Sequence, residues 1–376
     1  MNDRERALAI LGGRVPDRLP WFGDLAYWAH AQEHWGHAPR GWQTTPDYYA
    51  LHRRLGMGFY LQGYWAFEAS SDATVTVEER EDARERVRRI HTPRGTLVER
   101  WAFLPESCSW APVQRLVRSV ADLPALIHWY EHTDYRPSPS EALRRRPLLK
   151  DLGLVLCYLP RSPFMELTAV LAGIEAIVTI WQDDVALLER ALAAMAEGSD
   201  RAAEAALCVP ADCFMIPENL SSEVVGRRFY RAYTQPWERR WVERLHALGK
   251  PAFIHMDGTL RGLLPLVAET GFDVIEAATP APVGDLTLPE MRALAGPRPI
   301  LWGGLPGVYF TPLVSDAEFD RHAREVIAQM VSDRRMVLGV ADQVPPDARL
   351  DRVARVAELV AAHGAYGVGG VEAARG

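Results

Sequence analysis

In the stretch FIHMDGTLRGLLPLVAETGFDVIEAATP (253–280), His255 and Asp257 stand one residue apart at the close of a short apolar run. Residues i and i+2 of an extended segment point to the same side. An imidazole and a carboxylate so placed can share one Zn²⁺ through nitrogen and oxygen. They can equally be a hydrogen-bonded histidine and the cap of the helix that follows. Glu276 ends the next apolar run, in VIEAA, where a buried acid needs a partner such as His255 or an arginine. Glu218 and Asn219 close an earlier run, CFMIPEN, and Asp342 closes a later one, RMVLGVAD. Glu218 suits a metal ligand, a general base or a cap, and Asp342 suits a ligand or a loop cap. Without metal, His255 is an acid–base group that a neighbouring carboxylate orients.

The elements that must position these groups alternate. Apolar runs at 213–219, 251–258, 272–279, 299–307 and 335–342 are separated by stretches with helical spacing. Such alternation means βα units around a parallel sheet. The runs are apolar on both faces, as a fully covered sheet requires. RLPWFGD (18–24), GFYLQGYW (58–65) and DLGLVLCYLP (151–160) supply three earlier strands. Residues 73–104 hold no good helix and read as an antiparallel meander with a Pro-Arg-Gly turn. The expected fold is α/β, a TIM-like (β/α)8 barrel forming one domain over 1–376, with that meander inserted. A doubly wound open sheet is the alternative, but its early Gly-rich phosphate turn is missing.

In a barrel, chemistry gathers at the carboxyl ends of the strands. Every acid named above falls there, as do Asp24 and Arg161 after earlier strands. Trp302, in LWGGLPG, lines the pocket or simply packs. Trp21, Trp28, Trp35 and Trp42 suggest an aromatic mouth for a flat ligand, or a protein interface.

The 376 residues carry a net charge of −7, mixed along the chain, which argues against nucleic acid as the partner. No apolar run is long enough to span a bilayer, and the charged start is not a secretory signal. The four cysteines form no C-x-x-C pair, so a reduced, cytoplasmic setting is expected and a catalytic thiol is not.

RERALAILGGRVPDRLPWF, the segment from LGLVLCYLPRSP into its helices, FIHMDGTLRG, ILWGGLPG and VPPDARLDRVARVAELVAAHG occur in an order that resembles the uroporphyrinogen decarboxylase superfamily. The resemblance spans nearly the whole chain. It implies a TIM-like barrel and one of two activities: decarboxylation of porphyrinogens or corrinoid-linked methyl transfer, the latter including zinc enzymes that methylate coenzyme M. The chain departs from both patterns. WFGDLAYWAHAQ replaces the arginine-rich loop of the true decarboxylases, and Asp257 stands where the zinc methyltransferases have cysteine in H-x-C.

The first expectation is therefore a methyltransferase. It moves a methyl group between a small substrate and a corrinoid (cobalamin) on a partner protein, since no D-x-H-x-x-G corrinoid motif is present. The expected catalytic set is Glu218, His255, Asp257 and Glu276, with zinc on His255, Asp257 and Glu218. Asp24, Arg161, Asn219, Trp302 and Asp342 line the substrate. The alternatives are a decarboxylase or lyase acting on a carboxylic acid, and a binding barrel without chemistry. By analogy with barrels of this kind, a homodimer is expected.

Overall fold

The computed structural model describes residues 1–59 and 64–366. Eight parallel strands make the main sheet. In chain order they are β1 (Trp21–Gly23), β2 (Gly58–Phe59), β3 (Leu156–Tyr158), β4 (Cys213–Leu220), β5 (Ala252–Met256), β6 (Val274–Ala278), β7 (Ile300–Pro306) and β8 (Met336–Ala341). Their order in the sheet is β2-β1-β8-β7-β6-β5-β4-β3. Parallel bridges Phe59–Gly153 and Trp65–Tyr158 bring β2 beside β3 and close the barrel. The strands match the apolar runs to within a few residues, apart from the expected second strand, part of which (60–63) lies outside the described residues.

Strand parity divides the core into two layers. Phe22, Leu154, Leu156, Cys213, Met215, Phe253, Val274, Ile300, Trp302 and Val337 form one cluster inside the barrel. Their alternates, including Trp21, Val155, Phe214, Ile216, Ile254, Ile275, Leu301 and Leu338, belong to the larger cluster shared with the helices. Side chains two residues apart share a face, so each strand feeds both layers. The N-terminal helix α1 (Asp3–Leu11) opens with the Asn2/Glu5 capping box that its sequence suggests. Its Ala7 and Ile10 join the interior cluster.

The insertion is larger than 73–104. Strands Thr76–Glu81, Glu85–Thr92, Gly95–Leu104 and Ser109–Gln114 form a four-stranded antiparallel sheet. The fourth carries Pro112, which obscures its strand pattern and is tolerated because this strand lies at the sheet edge. A second pair, Phe67–Ser71 with Thr133–Pro137, brackets the insertion. The early tryptophans do not gather around one opening. Trp21 is buried in the outer core, and Trp28 and Trp42 pack together at 6.0 Å beside Tyr48.

No single helix among the described residues is long and apolar enough to cross a membrane. The bent pair Pro163–Ala172 and Ile174–Asp183 has a suitable composition, but its Phe164, Leu167, Ile177 and Ile180 are core residues.

Candidate active site at the barrel mouth

Parity also predicts which polar side chains turn inward. His255 lies two residues beyond Phe253, and Glu276 two beyond Val274, both interior positions. The β5–β6 register sets His255 directly opposite Glu276. Nδ1–H of the imidazole donates to Glu276 Oε2 at 2.5 Å, with the His255 side chain 13% and the Glu276 side chain 3% exposed. Burial alone would strip the proton from His255. The Glu276 carboxylate outweighs it, helped by Asp342 and Asp257, and raises the imidazole to about 9. At neutral pH His255 is therefore a cation. Glu276 holds its Nδ1, which leaves Nε2–H to meet a ligand.

Three barrel strands end in backbone that side chains rarely adopt. Asn219, Ala277 and Asp342 have φ of +55°, +59° and +69°. Register shifts accompany the first two, between Ile216 and Leu220 and between Ile275 and Ala278. Such strain persists only where the surroundings enforce it, and it concentrates at functional sites. At Asp342 it has a visible effect. The residue is out of phase with interior Val337, yet its charge acts on both His255 and Tyr158. Asp342 reaches solvent, but protein surrounds it closely enough that burial raises its carboxyl.

Asp24 is in phase with interior Phe22 and is 4% exposed, with Oδ1 accepting from the Ala26 N–H at 2.6 Å. Tyr158 is in phase with interior Leu154 and Leu156. Burial first, then the charges of Asp24, Glu276 and Asp342, push its phenol up, while Arg161 opposes them. Asp24, Tyr158, His255, Asp257, Glu276, Asp342 and Arg161 thus share one electrostatic neighbourhood. Tyr158 was absent from the expected set, although two-residue counting from Leu156 identifies it.

Two expectations are corrected. Trp302 does not line the mouth. It is 4% exposed inside the barrel, with ring centroids 5.1 Å from Phe22 and 5.8 Å from Phe253. Glu218 does not join His255. It follows Phe214 and Ile216 on the outward parity and faces the helix layer. Its Oε1 accepts from the Ser162 N–H at 2.9 Å, and its Oε2 has no conventional partner. Its neighbour there is Glu238, on helix α2 (Gln235–Ala247), whose Oε1 is likewise unpaired. Glu238 Oε2 accepts from the Tyr230 hydroxyl at 2.5 Å. Both carboxyls are fully buried, and burial raises both. One proton held between the two unpaired oxygens satisfies both.

The expected ligand set of His255, Asp257 and Glu218 is therefore not assembled. Among the described residues no group of three or more His, Cys, Asp or Glu side chains converges to hold a metal ion. The donors as arranged do not fit a zinc cage. Asn219 is exposed at the strained end of β4. Arg161 follows β3, with one 3.5 Å contact to Glu166 and its guanidinium 5.7 Å from the Trp65 ring.

A closed parallel barrel with an inward histidine–carboxylate pair at the carboxyl ends of its strands belongs to the (β/α)8 enzyme architecture. The uroporphyrinogen decarboxylase (URO-D) family profile matches residues 156–363, more than half of the chain. The chain belongs to that family. Among solved structures, a methyltransferase from Methanosarcina mazei is similar over 96% of this chain and 99% of its own, with a TM-score of 0.57 and 14% identity. At that identity the likeness establishes the fold. A B12-independent methionine synthase from Shewanella sp. W3-18-1 in complex with selenomethionine aligns over 83% of this chain and 85% of its own, at a TM-score of 0.45 and 10% identity. No curated protein matches the sequence.

Proposed function

We propose that this protein transfers a methyl group from a small substrate to a corrinoid on a partner protein, with His255 as general acid. One observation carries the reading: Glu276 keeps a nearly buried imidazole cationic at the mouth of the barrel. A group that is protonated before substrate arrives is an acid, suited to a departing oxygen or nitrogen. The corrinoid supplies the nucleophile that accepts the methyl group. This chain's residues do the rest. Glu276 orients the imidazole, Nε2 delivers the proton, and Asp342 and Asp257 strengthen the positive charge until it is spent. The structural neighbour from Methanosarcina mazei, a methyltransferase, favours the same class.

A decarboxylase acting on a substrate with several carboxylates is less well served. The inward groups Asp24, Asp257, Glu276 and Asp342 are acids and would repel it. The test is methyl transfer from candidate donors to free reduced cobalamin, with wild type beside His255→Gln. Turnover lost with His255 supports the reading. Equal turnover in both proteins, or carbon dioxide release without cobalamin, rejects it.

A further inference from the structure

The opposite end of the barrel, at the amino ends of β6, β7 and β8, holds a cavity of about 650 Å³. Arg298 and Arg335 line it from the segments that lead into β7 and β8. Glu243 and His246 line it from α2, and Glu269 from the helix Leu264–Thr270. The Leu301 N–H donates to Arg335 O at 3.1 Å, so the two arginine-bearing segments run side by side. Arg298 is exposed, and its guanidinium makes no hydrogen bond or ion pair among the described residues. Arg335 is half-buried, and its Nε is shut off from solvent with no hydrogen-bond partner among the described residues. The nearby carboxylates are already engaged. Asp333 accepts from Nε of Arg292 and from the Arg335 backbone N–H. Asp273 Oδ2 accepts from Nε2–H of His246 at 2.9 Å and from the Ala252 N–H at 2.8 Å. Burial, then the adjacent Arg292, pull the Arg335 guanidinium below its ordinary value, more than Asp273 and Asp333 restore. Proteins leave few buried donors unpaired, least of all charged ones, because each costs stability.

We propose that this cavity binds a phosphorylated polyol, such as a sugar phosphate, with the phosphate between Arg298 and Arg335 and the hydroxyls toward Glu243 and Glu269. A phosphate monoester carries about two negative charges at neutral pH, which two guanidiniums balance. Guanidiniums also bond phosphate oxygens in pairs, so one oxygen can take the lone Nε–H of Arg335. Phosphate alone would fill little of the space, whose volume is that of an ordinary small-molecule site, about 300–1,000 Å³. The rest of the wall selects what the phosphate is attached to. Glu243 and Glu269 are exposed and make no side-chain hydrogen bond or ion pair among the described residues. Carboxylates only accept, so they favour hydroxyl donors and repel a second anionic group. Arg239, four residues before Glu243 on α2, lines the same cavity and offsets part of that negative charge. The site lies at the other end of the strands from His255 and does not depend on the methyl-transfer reading.

The test is calorimetric titration of the full chain at neutral pH in chloride buffer. The probes are glycerol 3-phosphate, glucose 6-phosphate, inorganic phosphate and glucose. The expected result is saturable binding of at least one of the two phosphate esters, tighter than inorganic phosphate, with no detectable binding of glucose. Arg335→Gln should weaken the ester roughly tenfold or more, as the loss of a charge-assisted pair requires. Arg298→Gln should do the same, and because that side chain is exposed the variant tests the site without disturbing the core. Glu243→Gln should weaken the ester and spare inorganic phosphate, and His255→Gln should bind like wild type. Absence of saturable binding by both esters overturns the proposal, as does equal binding by wild type and Arg298→Gln. Equal affinity for the esters and inorganic phosphate, or an ester unaffected by Glu243→Gln, would mean an adventitious ion only and overturns the polyol assignment. Binding lost in His255→Gln would put the ligand at the mouth of the barrel and overturns the site.

Discussion

Two glutamates of the barrel strands, Glu276 in β6 and Glu218 in β4, are both buried and have opposite surroundings. Glu276 turns inward and meets a histidine at 2.5 Å. Glu218 turns outward and meets another carboxyl, Glu238. The first arrangement creates a cation at the mouth of the barrel. The second retains a proton between two acids in the helix layer. Residue type and approximate position along a strand are the same, and parity alone separates the two outcomes. A buried carboxyl therefore has no fixed role: what it faces decides whether it promotes charge or suppresses it.

The same replacement, glutamate to glutamine, should separate the two regions most sharply. Glu276→Gln removes the anion that outweighs burial, so His255 falls below its ordinary value of about 6.5. Methyl transfer at pH 8 should then drop by about 10²–10⁴-fold, the usual worth of a general acid. The alkaline limb of kcat/KM against pH should move from about 9 to below neutrality. An unmoved limb would show that Glu276 does not set the charge.

The next effect is on stability. His255 binds its proton more tightly folded than unfolded. Its contribution is complete below pH about 6.5 and disappears as pH rises through about 9, amounting to up to about 3 kcal/mol. Urea unfolding at pH 6 and pH 9.5 should show that loss in wild type and not in His255→Gln. Equal losses in the two proteins would place the titration elsewhere.

Removing Glu218 altogether is milder. Glu218→Ala leaves the buried Ser162 N–H without its acceptor, at a cost of about 1–3 kcal/mol. Urea midpoints read it directly, and an unchanged midpoint would mean that another group takes over the Ser162 N–H. Smallest of all should be Glu238→Gln. Its amide oxygen can accept from Tyr230 and its NH₂ can donate to Glu218, so the change stays within about 1 kcal/mol at pH 6. The raised acid pair contributes most below about pH 4.3 and loses that contribution as pH rises through its elevated value. Glu238→Gln should accordingly gain on wild type as pH increases. A large loss at every pH would rule out the shared proton.

Much of this was legible from the sequence. Five apolar runs in the second half gave five strands; Asp257 and Asp342 follow the last residues of theirs, while Glu276 sits within β6. Counting by twos from Phe253 and Val274 turns both His255 and Glu276 inward and, from Leu156, admits Tyr158. The same count excludes Glu218 from the mouth. The first half was harder to read because its barrel strands are very short and an antiparallel insertion interrupts them.

The sequence by itself determined the alternation of strands and helices, because burial on both faces of a parallel sheet demands long apolar runs. It also determined the chemical identity of the groups at the strand ends. Only the tertiary structure decided which of those groups meet. Strand register set His255 opposite Glu276, left-handed backbone at Asp342 brought an out-of-phase acid to the mouth, and closure of β2 onto β3 placed Trp65 beside Tyr158. Each of these joins residues far apart in the chain, and hydrogen-bond register and barrel closure are properties of the assembled sheet, beyond what any local segment specifies.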